Sequence, residues 1–548
     1  MDYVSAVGDL LDDYRKAAGP LPQQHSLWRL TGPGLSDLEP PAAEPLPVPG
    51  ADELLVRHDA VSLCASDAKI ARLGLDHPRV RRFPVVPGHE VSLTVAAVGP
   101  RLRDAYAPGD RFVVQADMTV GGVARAYGYD LPGGLAQYAV LGAEALAYLV
   151  PVRSGTGYAE AALAEPWACV EAAYAASYRS TWQAGGTVWL TGDGAGADLG
   201  AAAGWRPDRV HLDVRDDIFA ERVRAWAHAS GVEVVAGPPQ AAVDDAVVLG
   251  PDPDRVERAL AALAPHGTCA LVTVAPLPRP VRVDVGRLHY DGLALMGTAH
   301  QDLSAAYTPI RTELAPGGRL WLLGAGGPMG RMHLRRALQR DGAPASIIAS
   351  DRSGRSANTF GGFTPPTVTF LSERECGDAE TLAKRLNEAT GGLGFDDVVV
   401  AAPSARAVEA AFEHLADGGV INLFAGLPPG TLCAWDVTAV AHRGVRAVGT
   451  SGSSVADLRR ARDRIEAGVL QPNRSVAAVA GLDGAPEALR AVAENRFGGK
   501  VLIFPNLSRP LPLTPLAELA GVLPGVAARL ERGHWTVAAE EELLRALI

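Results

Sequence analysis

The sequence predicts an α/β protein: a β-rich N-terminal domain followed by two consecutive doubly wound parallel sheets. Three observations carry this. Between residues 28 and 152, β-branched runs are bounded by Pro/Gly turns. From 186 to 470, strand-like runs alternate with helix-like runs. That second region also repeats itself.

Residues 1–25 can form a short helix. Val4, Leu10, Leu11 and Tyr14 give a partial apolar stripe that Gly19-Pro20 ends, read as a helix packed on the main body. Residues 26–185 are the β-rich domain, in which Glu53–Leu63 alternates as a strand should, with similar runs at Val91–Val98 and Arg111–Val114. Gln115–Pro132 holds no cysteine, so a structural zinc on four cysteines is excluded there.

The repeat is read from spacing. Asp244-Asp-Ala-Val-Val-Leu-Gly-Pro251 matches Asp396-Asp-Val-Val-Val-Ala-Ala-Pro403 at an offset of 152 (396 − 244). The offset persists at Gly267/Gly419, Gly292/Gly444 and Gly297-Thr298/Gly449-Thr450. Upstream, Gly186–Gly192 matches Gly318–Gly324 at an offset of 132 (318 − 186), so the first copy lacks 20 residues (152 − 132). Residues 186–315 and 316–470 are thus read as duplicates.

Only the second copy carries a working phosphate turn. Leu320–Leu323 is a buried strand, and Gly324-Ala-Gly326-Gly327-Pro328-Met329-Gly330 leads into a helix through Arg331 to Arg340. Such glycines let the backbone approach a pyrophosphate at a helix N-terminus. A further strand, Ser346–Ser350, ends at Asp351, whose carboxylate suits a ribose diol and repels a 2′-phosphate. NAD is therefore expected over NADP, with Arg352 and Arg355 working against the preference; Thr450 is counted with the cofactor residues. In the first copy, Asp193 and Asp198 put negative charge into the corresponding turn. It reads as a degenerate, structural domain that packs beside the active site or forms an oligomer interface.

Composition narrows the function. With 48% hydrophobic and 21% charged residues the chain reads as soluble and globular. A net charge of −11 argues against a nucleic-acid partner. No leader peptide and no membrane span are expected. Five scattered cysteines suit a reducing cytoplasm better than a disulfide framework.

The chemistry centres on Val85-Val-Pro-Gly88-His89-Glu90. Ser62-Leu-Cys64-Ala-Ser66-Asp67 lies upstream and Ala164-Glu165-Pro166-Trp-Ala-Cys169 downstream. Cys, His and Glu with an open fourth position is what a catalytic zinc needs. Tyr127, Tyr129 and Asp130, beside Gly133-Gly134, either line a polar substrate pocket or bond locally within a loop. Arg79, Arg81 and Arg82 either meet a substrate phosphate or form a solvated basic face.

These motifs, with Gly133-Gly-Leu-Ala-Gln-Tyr138 and Gly499-Lys-Val-Leu-Ile503, come in the order found in the zinc-dependent medium-chain dehydrogenase/reductase superfamily, which the chain resembles over roughly residues 26–505. Glu165-Pro166 resembles the polyol and sugar dehydrogenase branch that includes sorbitol dehydrogenase and sorbose-1-phosphate reductase. The resemblance implies a GroES-like β-barrel catalytic domain at 26–185 and two Rossmann-like domains. Residues 471–509 would return to the barrel, and 510–548 would add Pro-rich turns and helices, among them Val537–Leu547. It implies one catalytic zinc on Cys64 and His89, with Glu90 and Glu165 as the remaining candidates. Asp67 would orient His89, Ser66 would accept the hydroxyl proton, and Lys69 stands where relatives often carry an outer relay histidine. Lys500 would reach the cofactor pyrophosphate or lie on the surface. The implied activity is hydride transfer between NAD(H) and a secondary alcohol or ketone of a polyol, sugar or cyclitol, phosphorylated or not, in a cytoplasmic homo-oligomer. Two other classes stand beside it. One is a redox-neutral isomerase or epimerase that keeps its NAD. The other is a non-catalytic binding protein descended from a dehydrogenase, against which the retained Cys64, Ser66, His89 and Glu165 argue.

Overall fold

The computed structural model describes residues 3–77, 79–352 and 368–548, so Arg355 lies outside the described residues. The chain forms two compact units, 1–172 with 452–548, and 173–451.

The first unit is built on an eight-stranded sheet. Its path runs Thr514–Pro515, Val476–Gly481, Lys500–Phe504, Leu54–Leu63, Glu90–Val98, Arg111–Val114, Leu149–Pro151, with Tyr138–Leu141 also paired to Leu54–Leu63. Its core is aliphatic: Leu54, Val56, Val61, Val91, Leu93, Val95, Val501 and Ile503 are all buried. The two ends of the chain meet on this unit. Helix Tyr3–Lys16 is tied to helix Val537–Leu547 by the Arg15–Glu541 pair. The Arg57 guanidinium carbon lies 3.5 Å from the Tyr14 ring centroid, where a buried cation gains from the ring's negative face. Glu540 is buried and accepts from the Tyr158 and Ala159 amides at 2.6 and 2.7 Å, satisfying donors that open the short helix Tyr158–Ala162.

The second unit holds a twelve-stranded sheet, its strands numbered here β1 Thr187–Gly192, β2 Arg209–Val214, β3 Glu233–Ala236, β4 Val243–Leu249, β5 Leu263–Val272, β6 Ala294–Thr298, β7 Arg319–Leu323, β8 Ser346–Asp351, β9 Val368–Ser372, β10 Phe395–Val400, β11 Leu415–Leu423 and β12 Arg446–Gly449. Their order is β3-β2-β1-β4-β5-β6-β12-β11-β10-β7-β8-β9. Each run of six therefore has the same 3-2-1-4-5-6 arrangement of a doubly wound nucleotide fold. The expectation of two separate parallel sheets is corrected: they form one continuous, mixed sheet, because β6 and β12 pair antiparallel. That pairing satisfies backbone groups that would otherwise leave each half with an open edge.

The join is symmetric about the repeat offset. Leu295 pairs with Ala447, and Arg282 of a small outlying ribbon pairs with Ala434, each 152 residues from its partner (447 − 295; 434 − 282). In the same ribbon Val281 pairs with Trp435 and Val283 with Cys433, so each side meets the other side's counterpart, as across a twofold axis. Side chains repeat as well. Arg179 bonds Asp245 at 2.6 Å and the Asp244 carbonyl at 2.9 Å; Arg311 bonds Asp397 and the Asp396 carbonyl at the same two distances. The amides of Thr187 and Arg319 both donate to the neighbouring aspartate, Asp244 or Asp396, at 2.8 Å.

The halves diverge after their first strand. β7 runs through Gly324–Gly327 into helix Pro328–Gln339, with proline in its first turn, where the missing N–H costs nothing. β1 is followed by a loop and a 3-10 turn, Gly200–Gly204, in place of that helix.

Candidate active site

Strand register gathers the chemistry in the first unit. Ser62 faces Glu90 across one pair and Leu63 faces Val501 across the other. Cys64 leaves one strand as Glu90 and Lys500 begin its two neighbours, so three strand ends meet. Gly88 makes this possible. At φ +100°, its absent Cβ would lie 3.0 Å from Val61 and 3.1 Å from the Gly134 amide. The Gly133-Gly134 segment packs on that turn, with the Gly134 amide donating to the Gly88 carbonyl at 2.8 Å, and a Cβ on Gly133 would lie 2.5 Å from the same oxygen.

Helix Ala65–Leu73 starts immediately after Cys64. Its Asp67 is buried and accepts from the Cys64 amide (2.8 Å), the Gly88 amide (3.1 Å) and His89 Nδ1 (2.9 Å). Burial alone would raise its pKa, but His89 and the two amides hold the carboxyl below its ordinary value. With Nδ1 taken by Asp67, His89 Nε2 is left for a ligand. One ligand atom each from Cys64, His89 and Glu90 lies within 4.8 Å of the others. Glu90 Oε2 is buried without a hydrogen-bond partner among the described residues. A thiol, an imidazole and an orphaned carboxylate oxygen in one enclosed place suit a divalent zinc ion.

Glu165 is buried beside this group, and Cys169 Sγ lies 3.8 Å from its Oε1. Burial pushes the Glu165 carboxyl up to about 7; His89 opposes the shift and Glu90 adds to it. Ser66 and Lys69 sit half-buried on helix Ala65–Leu73. Both readings of Lys500, pyrophosphate contact and surface residue, are corrected: it is buried, and its ammonium pairs with Glu90. Burial would lower the Lys500 pKa, yet Glu90 and Cys64 hold it above the ordinary lysine value. Reading the sequence locally missed this pair, since it depends on register between segments 410 residues apart.

The tyrosine loop divides. Tyr127 is spent in the core, its hydroxyl 2.6 Å from His58 Nε2. Asp130 accepts from the Ala126 amide and pairs with Arg125, as a loop residue does. Tyr129 instead stacks on His77 (5.1 Å between centroids) and lies 5.5 Å from His89. Arg79, Arg81 and Arg82 are exposed; Arg79 pairs with Asp117 at 2.6 Å and Arg81 donates to the Ala124 carbonyl.

In the second unit the glycine turn is a cradle that side chains would fill. A Cβ on Gly330 would lie 2.2 Å from the Gly324 carbonyl, and one on Gly326 2.1 Å from an Asp351 carboxylate oxygen. Gly324 has φ +89° and would meet Ala402 at 2.7 Å, while Gly327 is open apart from Gly324 O at 3.7 Å. Pro328 and Met329 open the helix. Asp351 ends β8 against that turn, buried; Arg352 beside it is exposed. The counterpart of Asp351 is Val214, since Gly192 faces Val214 at the end of β1 while Leu323 faces Ser350 one step before the end of β8. Thr450 follows β12, and its hydroxyl lies 3.3 Å from Asn422 Oδ1. A helix N-terminus, a bare glycine turn and a carboxylate at the next strand end fit a dinucleotide.

A Cys–His–Glu cluster on a β-sheet unit and a glycine turn in a doubly wound unit are the pairing expected of metal-dependent, dinucleotide-linked dehydrogenases. Family models agree: the alcohol dehydrogenase GroES-like domain matches residues 50–152, and zinc-binding dehydrogenase matches 375–503. The chain is 25% identical over 526 residues to L-sorbose 1-phosphate reductase of Klebsiella pneumoniae, covering 91% of this chain and 93% of that one. It is 24% identical over 493 residues to mannitol-1-phosphate 5-dehydrogenase of Aliivibrio fischeri (strain ATCC 700601 / ES114), covering 87% and 86%. A structure described as a zinc-binding dehydrogenase from Sinorhizobium meliloti 1021, bound to NADP, shares the fold at TM-score 0.53 and 17% identity, covering 88% of this chain and all of that one. Over residues 50–152 and 375–503 the chain matches the zinc-binding medium-chain dehydrogenases. Among the described residues no helix is long and apolar enough to cross a membrane.

Proposed function

We propose that this protein is a cytoplasmic, zinc-dependent dehydrogenase that moves a hydride between NAD(H) and a secondary alcohol or ketone of a polyol or sugar, phosphorylated or not. The observation that carries the reading is the Cys64–His89–Glu90 group with its orphaned Glu90 oxygen. One zinc per chain would be held by these three residues. When bound, zinc supplies a Lewis acid for the substrate hydroxyl, and the dinucleotide supplies the hydride acceptor.

The chain's own residues do the rest. Asp67 fixes the tautomer and ring direction of His89. Lys500 neutralises part of the negative charge gathered by Glu90. Glu165, buried beside the three ligand residues, orients the water or hydroxyl next to the metal. Ser66 accepts the hydroxyl proton, and Lys69 stands further out on the same helix. Gly324, Gly326, Gly327 and Gly330 admit the pyrophosphate, and Asp351 favours a free ribose diol, hence NAD over NADP. The similarity to mannitol-1-phosphate dehydrogenase and sorbose 1-phosphate reductase supports a polyol or sugar phosphate as substrate. The repeated strand order and the Arg179/Arg311 anchors support a duplication, in which the first half lost nucleotide binding and kept a structural role.

The test is elemental analysis of protein purified without chelator, followed by NADH absorbance with sorbitol, mannitol 1-phosphate and, in the reverse direction, sorbose 1-phosphate. About one zinc per chain and turnover of at least one of these is expected. A metal-free protein, or zinc with no turnover of any of them, would count against the reading.

A further inference from the structure

Tyr129 is 3% exposed; the one polar group set toward its hydroxyl is the Arg79 guanidinium, which can only donate, so the hydroxyl proton has no acceptor among the described residues. Leaving a buried donor unpaired costs roughly 1–3 kcal/mol, so the group needs an explanation. Packing does not give one. The ring lies between His77 and His89, with the Arg79 guanidinium carbon 5.6 Å from its centroid, and a phenylalanine would fill the same place. Tyr127, two residues earlier, shows how this loop satisfies a phenol when the role is structural: it gives it His58. Tyr158 is also unpaired, but its ring packs against Tyr14 and Arg111, away from the Cys64–His89–Glu90 group. Among these three tyrosines, Tyr129 alone combines a hydroxyl proton without an acceptor with direct contact to His89.

We propose that Tyr129 is a specificity residue whose hydroxyl donates a hydrogen bond to a second hydroxyl of a polyol, next to the one that reacts; this rests on the reading that a polyol reacts at the Cys64–His89–Glu90 group. A phenol stays protonated at neutral pH, so it serves as donor and not as base, and a hydroxyl oxygen is the partner it lacks. A site built to bond a substrate hydroxyl also rejects analogues without one, because the buried donor is then left unpaired.

The test uses the full chain with cobalt(II) in place of zinc and follows the visible cobalt bands. Wild type and Tyr129→Phe are titrated with sorbitol, with mannitol 1-phosphate and with cyclohexanol, which has no second hydroxyl. The proposal expects an unchanged spectrum before ligand, a Kd about tenfold weaker in Tyr129→Phe for whichever polyol binds, and cyclohexanol affinity equal within twofold. Equal polyol affinity in the two proteins would overturn it. So would a similar loss for cyclohexanol or an altered starting spectrum, since either marks a structural role. If the wild type responds to neither polyol, the polyol reading itself fails and takes this inference with it, a pattern distinct from equal affinities.

Discussion

The two halves of residues 173–451 share a strand order, an antiparallel join and a pair of Arg–Asp anchors, yet only one has a glycine turn that enters a long helix. The comparison separates two kinds of residue. Asp245 and Asp397 each hold a strand to the segment before the half's first strand, through an arginine and a backbone amide. In the proposed reading Gly326, Gly330 and Asp351 hold the dinucleotide, whereas Gly194, Asp198 and Val214 at the matching positions would not form such a set. On that reading the first half is a wall of the sheet and the second is the nucleotide site.

The largest expected effect breaks the shared part. Asp245→Ala and Asp397→Ala should each cost about 3 kcal/mol, because each removes a charge-assisted hydrogen bond of 2.6 Å to arginine and leaves a backbone amide, Gln183 or Ala315, without its acceptor. Thermal unfolding should show similar losses; a loss confined to Asp397→Ala would mean that the first half is not held in the same way. The next change strikes the ligand part. Gly330→Val drives a side chain into the Gly324 carbonyl and should weaken NAD binding at least 100-fold, about 2.7 kcal/mol, by calorimetry. Asp198→Ala, at the matching position of the first half, should leave NAD affinity unchanged.

A pH scan sharpens the anchor comparison. Burial pushes Asp245 up to about 6 from 3.8, with Arg179 opposing. The folded state therefore holds this proton more tightly than the unfolded chain. The associated stability is fully present below about pH 3.8 and is lost as pH rises through about 6, on the order of 3 kcal/mol. Asp245→Asn should flatten that part of the stability profile, and an unchanged slope would contradict the assignment. The smallest effect concerns cofactor choice: Asp351→Asn should narrow the preference for NAD over NADP about tenfold, roughly 1.4 kcal/mol, while Val214→Thr should not move it.

What could be read from the sequence was what short-range patterns determine. Glu53–Leu63 alternates and becomes the strand Leu54–Leu63; Arg111–Val114 and helix Val537–Leu547 have the expected bounds. The helix read from Arg331 begins three residues earlier because Pro328 sits comfortably in a first turn. The gathering of Cys64, Asp67, His89 and Glu90 was expected from the order of motifs shared with the dehydrogenase family; Cys64, His89 and Glu90 lie at strand ends or a turn and Asp67 in the first turn of a helix. Pairing across distance was not legible. Nothing local indicates that Lys500 will begin the strand beside Cys64, that β6 will pair with β12, or that the terminal helices will meet through Arg15 and Glu541. Tyr127 and Tyr129 look alike in sequence; only the position of His58 separates them.

The most direct measurement is the number of NAD molecules bound per intact, zinc-loaded chain, by calorimetric titration. One equivalent, abolished by Gly330→Val and untouched by Asp198→Ala, is the predicted result. Two equivalents, or one that survives Gly330→Val, would contradict the division between a ligand-holding half and a structural one.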